Sequence, residues 1–461
     1  MIEGLKPYPG YQESGECWIG PIPASWRIRR AKFLFREIDE RSKTGKEELL
    51  SVSHKTGVTP RTQKSVTMFL AESNVGHKIC RPQDLVINTL WAWMAALGVS
   101  RHTGIVSPAY GVYRLTAPDQ FLPRFADLLL RTPMYAAEYQ RRSTGVNSSR
   151  LRLYAEYFFR IPIILPPHDE QLAIVRFLDH ANRKIDGFIR AKRKLIGLLN
   201  EQKQAIIHRA VTRGLDPNAK LKPSGIPWLV EIPAHWEVRR VKQVAKILRG
   251  KFTHRPRNDP SLYDGIYPFI QTGAVARAKK FITEYKQTLN ERGLAVSKMF
   301  PKGTLCMTIA ANIGDVAILD FEACFPDSIV GFVPSSDLNR DFLYLAFLCL
   351  KAELLSDAPV NTQGNLNVER IGVKWLPFPP LEEQQQIAAQ VELETSVFAT
   401  AIARTEREIA LMQEYRTRLT ADIVTGKLDV REAAAKLPEE LDEEPAADEV
   451  AEEPETEEFA E

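Results

Sequence analysis

An internal echo constrains this chain more than any other feature. Residues 14 to 32 align with 224 to 242 at a constant offset of 210: Ser14 with Ser224, Gly15 with Gly225, Trp18 with Trp228, Ile22-Pro23-Ala24 with Ile232-Pro233-Ala234, Trp26 with Trp236, Arg29-Arg30 with Arg239-Arg240 and Lys32 with Lys242, ten identities in nineteen positions. A second echo, at offset 213, sets Pro166-Pro167-His168-Asp169-Glu170-Gln171 against Pro379-Pro380-Leu381-Glu382-Glu383-Gln384, then Val211-Thr212 and Leu215-Asp216 against Val424-Thr425 and Leu428-Asp429. Solenoid units run roughly 20 to 50 residues, far below this period. The chain therefore reads as two tandem units of about 210 residues, each an opening motif, a globular body and a long terminal helix. Such duplication suggests a target read in two places.

Length and composition agree. At 461 residues and 44% hydrophobic content there is material for two cores plus helices. The five cysteines, at 17, 80, 306, 324 and 349, form no CxxC pair, which points to a reducing cytoplasmic compartment without structural zinc. The first fifteen residues hold Pro7, Pro9, Gly10 and Gly15 and no apolar core, so no secretory signal is expected. The charge-free run Leu85 to Ser100, interrupted by Asn88 and Thr89, falls short of the roughly 18 apolar residues of a membrane span. A soluble protein with no membrane partner is expected.

The net charge of +3 conceals an asymmetry. Residues 438 to 461 carry thirteen acidic groups and no Lys or Arg, leaving 61 basic against 45 acidic residues, or +16, in the first 437. So basic a body suits a polyanionic partner. The Glu-, Ala- and Pro-rich tail reads as disordered, either a solubilising extension or a mimic of DNA charge.

Each opening motif is an Ile-Pro-Ala-x-Trp turn followed by two arginines. Proline disfavours helix before it, and Trp26 and Trp236 have the size to anchor the turn on a core. The arginines either touch phosphate or decorate a solvated strand end. The bodies, roughly 27 to 165 and 237 to 378, alternate β-like runs (84 to 88, 111 to 115, 304 to 308, 329 to 333) with Gly, Pro and Asp turns, and a single late helix is expected in each, at 121 to 131 and 340 to 355. The frame repeats while its content diverges.

The terminal helices are heptads. Ile174, Leu178, Ala181, Ile185, Phe188, Lys192, Leu195, Leu199, Gln202 and Ile206 recur in steps of four and three. So do Ala388, Val391, Thr395, Phe398, Ile402, Thr405, Ile409, Met412, Arg416, Leu419 and Ile423. Gly214 and Gly426 stand where helices stop. Residues 170 to 213 carry +6 and 382 to 427 carry −3, so the helices complement each other and an antiparallel pair is expected. The polar seam residues Lys192, Gln202, Thr405 and Arg416 either fix register or await helices of another protein.

Catalytic motifs are missing. There is no GxxxxGK[ST] or GxGxxG loop, no Asn/Asp-Pro-Pro-aromatic methyltransferase motif and no HExxH, while Pro118-Asp119 and Glu201-Gln202-Lys203 lie too far apart in unlike contexts for a nuclease.

Together, Ser-Gly…Trp…Ile-Pro-x-x-Trp, a Pro-Pro-x-x-Glu-Gln helix and a repeat of both resemble the specificity subunit of a type I restriction-modification enzyme. The segment 362 to 367, Thr-Gln-Gly-Asn-Leu-Asn, resembles that family's approach to its distal helix, whereas the first copy departs, with Ser-Thr-Gly-Val-Asn-Ser at 143 to 148 and six extra residues before Pro166. The resemblance implies an α+β fold: two tandem α/β target-recognition domains separated by two long helices packed as an antiparallel coiled coil. The boundaries expected are 1–167 and 216–380 for the domains, 168–215 and 381–430 for the helices, and 431–461 for the disordered tail. It implies a non-catalytic reader of a bipartite, asymmetric site in double-stranded DNA. No cofactor is expected on this chain; two modification subunits would bring S-adenosylmethionine, and two restriction subunits ATP and Mg.

Guanine edges favour Arg and Lys, adenine edges Asn and Gln. Candidate DNA-binding residues are His54, Lys55, Arg61, Gln63, Lys64, Arg101 and His102 in the first body, and Arg249, Lys251, His254, Arg255, Arg257, Gln271 and Thr272 in the second. The apolar seam positions expected to pair helices or meet partners are Ile174, Leu178, Ile185, Phe188, Leu195, Leu199, Ile206, Val391, Phe398, Ile402, Ile409, Met412 and Leu419. The alternative is a coiled-coil scaffold without DNA specificity, which would bind no DNA at any salt.

Overall fold

Two long helices organise the computed structural model, which describes residues 5–63, 73–145, 151–310, 312–356 and 366–438. The central helix is His168–Arg213 and the distal helix Leu381–Val424, 46 and 44 residues long. Neither contains proline, and Gly214 and Gly426 end them with φ of +74° and +83°, a left-handed turn that costs glycine no Cβ clash. The chain divides into a unit of Met1–Ala191 with Glu408–Glu461 and a unit of Lys192–Arg407. Each unit thus holds the start of one long helix and the end of the other.

In the first unit, Tyr11–Glu13 pairs antiparallel with Pro21–Pro23, and Arg27–Arg30 pairs with Pro162–Leu165, which delivers the chain to Pro166-Pro167. Between them lies an antiparallel sheet in the order Phe35–Glu37, Gly111–Leu115, Leu85–Ile87, Leu97–Val99. Its two inner strands, Gly111–Leu115 and Leu85–Ile87, are buried along most of their length, which explains their near-continuous apolar runs. A hairpin, Leu50–Ser53 with Gly57–Pro60, and the pair Lys78–Cys80 with Gly104–Val106 add to the β structure. Two late helices, Pro123–Leu130 and Pro133–Arg142, stand where one was expected. Each opens on proline, which is preorganised for the first helical position, so Pro133 starts the second helix. The core joins Trp26, Phe121, Phe125 and Phe158 to Ile174 and Leu178 of the central helix and Leu419 and Ile423 of the distal one.

The second unit repeats the frame. Leu221–Pro223 pairs with Glu231–Pro233 and Glu237–Arg240 with Trp375–Phe378. Its body differs. A five-stranded sheet runs Ala245–Arg249, Ile329–Pro334, Leu305–Thr308, Val316–Leu319, Phe281–Ile282, and a four-stranded one runs Gln287–Leu289, Tyr263–Phe269, Ala323–Cys324, Met299–Phe300. The late helix is Arg340–Ser356. Its core joins Trp236, Phe332 and Phe347 to Ile207 and Val211 of the central helix and Ile387 and Val391 of the distal one.

The seam is buried at its ends and open in its middle. Ile174, Leu178, Ile185, Val391 and Leu419 are buried, whereas Phe188 and Leu195 are 36% and 40% exposed and Leu199, Ile206, Phe398, Ile402, Ile409 and Met412 are half-buried. Near its end the central helix turns Ile207, Ala210 and Val211, not Ile206, into the core, because a straight 3.6-residue helix drifts off a strict heptad. Of the polar seam residues, Thr405 is buried and donates to Ala401 O, while Arg416 pairs with Asp186. That pair sets an anion of the cationic helix against a cation of the anionic one.

The expected tail begins too early. Arg431–Ala435 is a short helix with Val430 and Ala434 buried and Ala433 and Leu437 packed beside them, so this segment is folded onto the first unit's core by the apolar residues that precede the acidic run. Residues 439 to 461 lie outside the described residues. Among the described residues no helix is long and apolar enough to cross a membrane, and no group of three or more His, Cys, Asp or Glu could hold a metal ion.

Candidate nucleic-acid interface

The repeated motifs meet at two matching junctions. Trp26 donates its Nε1–H to Glu170 Oε2 at 2.8 Å, and Ser25 Oγ donates to Oε1 at 3.0 Å. In the second unit Trp236 Nε1 donates to Glu383 Oε2 at 3.0 Å, and His235 Nε2 lies 2.8 Å from the same oxygen. The adjacent glutamines work alike. Gln171 Oε1 accepts from Leu122 N and its Nε2 donates to Gln120 O and Pro166 O, all at 2.8 Å. Gln384 Oε1 accepts from Asn339 N at 2.7 Å and its Nε2 donates to Asp337 O and Pro379 O. Each Glu-Gln pair thus ties a long helix to its opening tryptophan and to the start of its body's late helix, satisfying otherwise orphaned N–H groups there.

Each tryptophan also meets the other helix's end. A Cβ on Gly426 would lie 3.0 Å from the Trp26 ring, and one on Gly214 would lie 3.2 Å from the Trp236 ring. Farther along, Asp186 meets Arg416 in the first unit, and Ile206 and Ala210 share a small cavity with Gln390, Val391 and Glu394 in the second. The helices therefore run antiparallel within each unit. The first junction is further closed by Tyr8, packed edge-on to Trp26 at 5.6 Å, with its phenol pushed far up by burial and then by the Glu170 charge. Arg431 lies 3.7 Å from Glu170 and over the Tyr8 ring.

The opening arginines of the second copy are taken up locally. Arg239 pairs with Asp337 at 2.8 Å and lies over Phe378, and Arg240 lies over Trp375.

The first body splits its candidate residues. His54 and Lys55 form the hairpin tip, where Ser53 Oγ accepts from Lys55 N and Arg131 Nη2 donates to the carbonyls of both, at 2.9 and 2.7 Å. Arg61 sits at the hairpin's open end, its N–H bonded to Leu49 O. Arg101 and His102 occupy a bend held by Ser100, just before the strand whose Ile105 N bonds Glu48 O. Arg61 and this bend therefore neighbour one end of the hairpin and Lys55 the other, roughly 13 Å away along four strand residues. Gln63 closes a 3-10 turn, Arg61–Gln63, and Lys64 lies outside the described residues.

The second body gathers its set along one segment, Cys324 to Asp327. Ile270 N bonds Cys324 O, Lys251 N bonds Phe325 O, and Arg249 Nε donates to Asp327 O at 3.2 Å. Arg257 Nη2 lies 2.5 Å and Arg255 Nη2 3.7 Å from the Asp327 carboxylate. Gln271, just after Ile270, bonds Gln287, and Thr272 starts a short helix. His254 pairs with Asp259, whose carboxyl is held below its usual range first by Ser261 and then by this histidine. Sequence reasoning missed Asp327 and Arg131. A lone Asp in a turn and a late-helix Arg carry no motif.

Residues 233–393 match the family model of the type I restriction modification DNA specificity domain, a span from the second opening motif into the distal helix. That matched span resembles a type I restriction-modification specificity domain. It is 25% identical over 303 residues to a putative type I restriction enzyme MjaX specificity subunit of Methanocaldococcus jannaschii, covering 64% of each chain. To the MjaVIII specificity subunit of the same organism it is 25% identical over 315 residues, covering 63% of this chain and 67% of that one. The chain thus spans about two thirds of the length of these curated relatives. The fold resembles a chain solved in a study of complex assembly and conformational transition of the type I R-M system, with TM-score 0.60 and 17% identity over 88% of this chain and 99% of that one.

Proposed function

We propose that this chain is the non-catalytic DNA-recognition subunit of a type I restriction-modification complex. The observation that carries the reading is the repeated junction, Trp26 with Glu170 and Gly426, Trp236 with Glu383 and Gly214, framing two bodies of unlike sheet order. Each body, within 1–167 and 216–380, reads one half of a bipartite, asymmetric site in double-stranded DNA. The helices in 168–215 and 381–430 are spacers on which two modification subunits dock; two restriction subunits complete the complex. Those partners carry S-adenosylmethionine, ATP and Mg, and the assembly works in the cytoplasm.

The basic loops support this role in kind. The second body sets Arg255 and Arg257 on the Asp327 carboxylate and Arg249 on its backbone carbonyl, and such a basic surface draws on counterion release for affinity. Base specificity then comes from the few side chains that reach groove edges.

Methylome sequencing tests the reading. Cells expressing this chain with its cognate modification subunits should carry adenine methylation at one split motif, and replacing residues 237 to 378 by the matching body of a related subunit should change one half of it. Simultaneous change of both halves, or methyl transfer by the purified chain alone, would overturn the proposal.

A further inference from the structure

We propose that Asp327 is a specificity-determining positioning residue of the second body, orienting Arg255 and Arg257 and opposing contact with non-cognate phosphate. The inference rests on the DNA-reading role proposed above. Asp327 is a fixed post. Its own carbonyl accepts from Arg249 Nε, Ile329 N bonds Pro326 O at 3.0 Å, and Gly250 N bonds Ile329 O at 2.9 Å. A Cβ at Gly250 would lie 2.1 Å from Pro326 O, so these backbones touch with no side chain between them. Behind the post, Phe325 stacks on Phe300 at 3.8 Å.

The arginines come to this post from the irregular stretch between Gly250 and Pro260. Arg257 takes one carboxylate oxygen and Arg255 faces the other, while Arg255 Nη1 also donates to Phe252 O and His254 O at 2.7 and 2.8 Å. Both guanidinium side chains are nonetheless about half exposed, at 53% and 48%. A guanidinium held on one edge presents the rest of its planar donor fork in a set direction, which bidentate reading of guanine requires. Exposed ion pairs add little to stability, so orientation and charge are the main effects of this one. A neutral base edge can approach the arginines beside Asp327, whereas a phosphate meets its negative charge. The carboxylate thereby penalises sequence-independent binding more than base reading.

The test uses Asp327→Asn in the full chain assembled with its cognate modification subunits, on a duplex bearing the methylated motif and on a scrambled duplex of equal length. Expected are a roughly three- to tenfold gain in affinity for the scrambled duplex, a log-log salt slope steeper by about one, relaxed selection at one half-site and unchanged thermal unfolding. Unchanged scrambled-duplex affinity and slope would overturn the proposal. So would a uniform loss of affinity accompanied by a lower unfolding temperature, the mark of a merely structural tie. The double variant Arg255→Ala with Arg257→Ala separates the two levels. If it alters one half-site while Asp327→Asn behaves as wild type, only the role of Asp327 falls. If it leaves binding and motif unchanged, this loop does not read DNA and both assignments fall.

Discussion

The Trp26 indole and the Glu170 carboxylate are both buried, at 0% and 4% exposure, and joined by a 2.8 Å hydrogen bond. The repeat of this bond at Trp236 and Glu383 shows what the doubled Pro-Pro-x-x-Glu-Gln string is for. It is a structural latch between a helix start and a body.

The two latches should differ in strength. Glu170→Ala strands the Trp26 N–H in a dry site, at a cost of about 1 to 3 kcal/mol, and also removes the acceptor of Ser25. The Glu383 side chain is 25% exposed, so water can partly replace it after Glu383→Ala. Urea unfolding of both variants should rank Glu170→Ala as the more damaging; the reverse order would contradict the latch geometry.

Helix ends offer a second ranking. Gly426→Ala places a Cβ 2.4 Å from Pro23 Cδ, whereas at Gly214 the nearest atoms are 3.2 Å away. Both substitutions incur the left-handed backbone penalty of about 1 to 2 kcal/mol. The clash comes in addition at Gly426, and its variant should melt at the lower temperature.

Thiol labelling checks both bodies at once. Cys17 is exposed, while burial pushes the thiol of Cys80 up to about 11 and that of Cys349 to about 12, and raises those of Cys306 and Cys324 as well. Thiolate is the reactive form, so alkylation of the native chain at pH 8 should modify Cys17 fast and the other four only on unfolding. Mass spectrometry finding rapid modification at Cys306 or Cys324 would contradict the second unit's core.

The spacer role proposed for the helices is testable in cells. An insertion within 202 to 212 would fall on the buried Ile207, Ala210 and Val211, so the better site is between Lys192 and Glu201, where most side chains face solvent. Four added residues lengthen a helix by about 6 Å, near two base-pair steps of roughly 3.4 Å. Methylome sequencing should show a spacer longer by one or two base pairs with both half-sites intact. An unchanged gap with normal methylation would separate the helices from spacing.

Much of the frame is legible in the residues. The offsets of 210 and 213 mark two units, the heptads mark helices ending at Arg213 and Val424 just before their glycines, and the bulk of Trp26 and Trp236 marks them as anchors. The second late helix at Pro133 and the folded segment at Arg431 were missed because a proline and a short Ala run read locally as a break and a tail.

Local order, then, was written in the sequence alone: period, helix bounds and the opening turns follow from hydrophobic spacing and backbone chemistry that neighbouring residues fix among themselves. Tertiary structure decided what spacing cannot encode. It brought Glu170 under Trp26 across 144 residues and turned Ile207 inward in place of Ile206. It also drew Arg249, Arg255 and Arg257 onto Asp327, some seventy residues downstream, while leaving Lys55 and Arg61 at opposite ends of a hairpin. The physical reason is that hydrogen bonds and charges act through distance in space, and the β pairings that set those distances join segments the sequence keeps far apart.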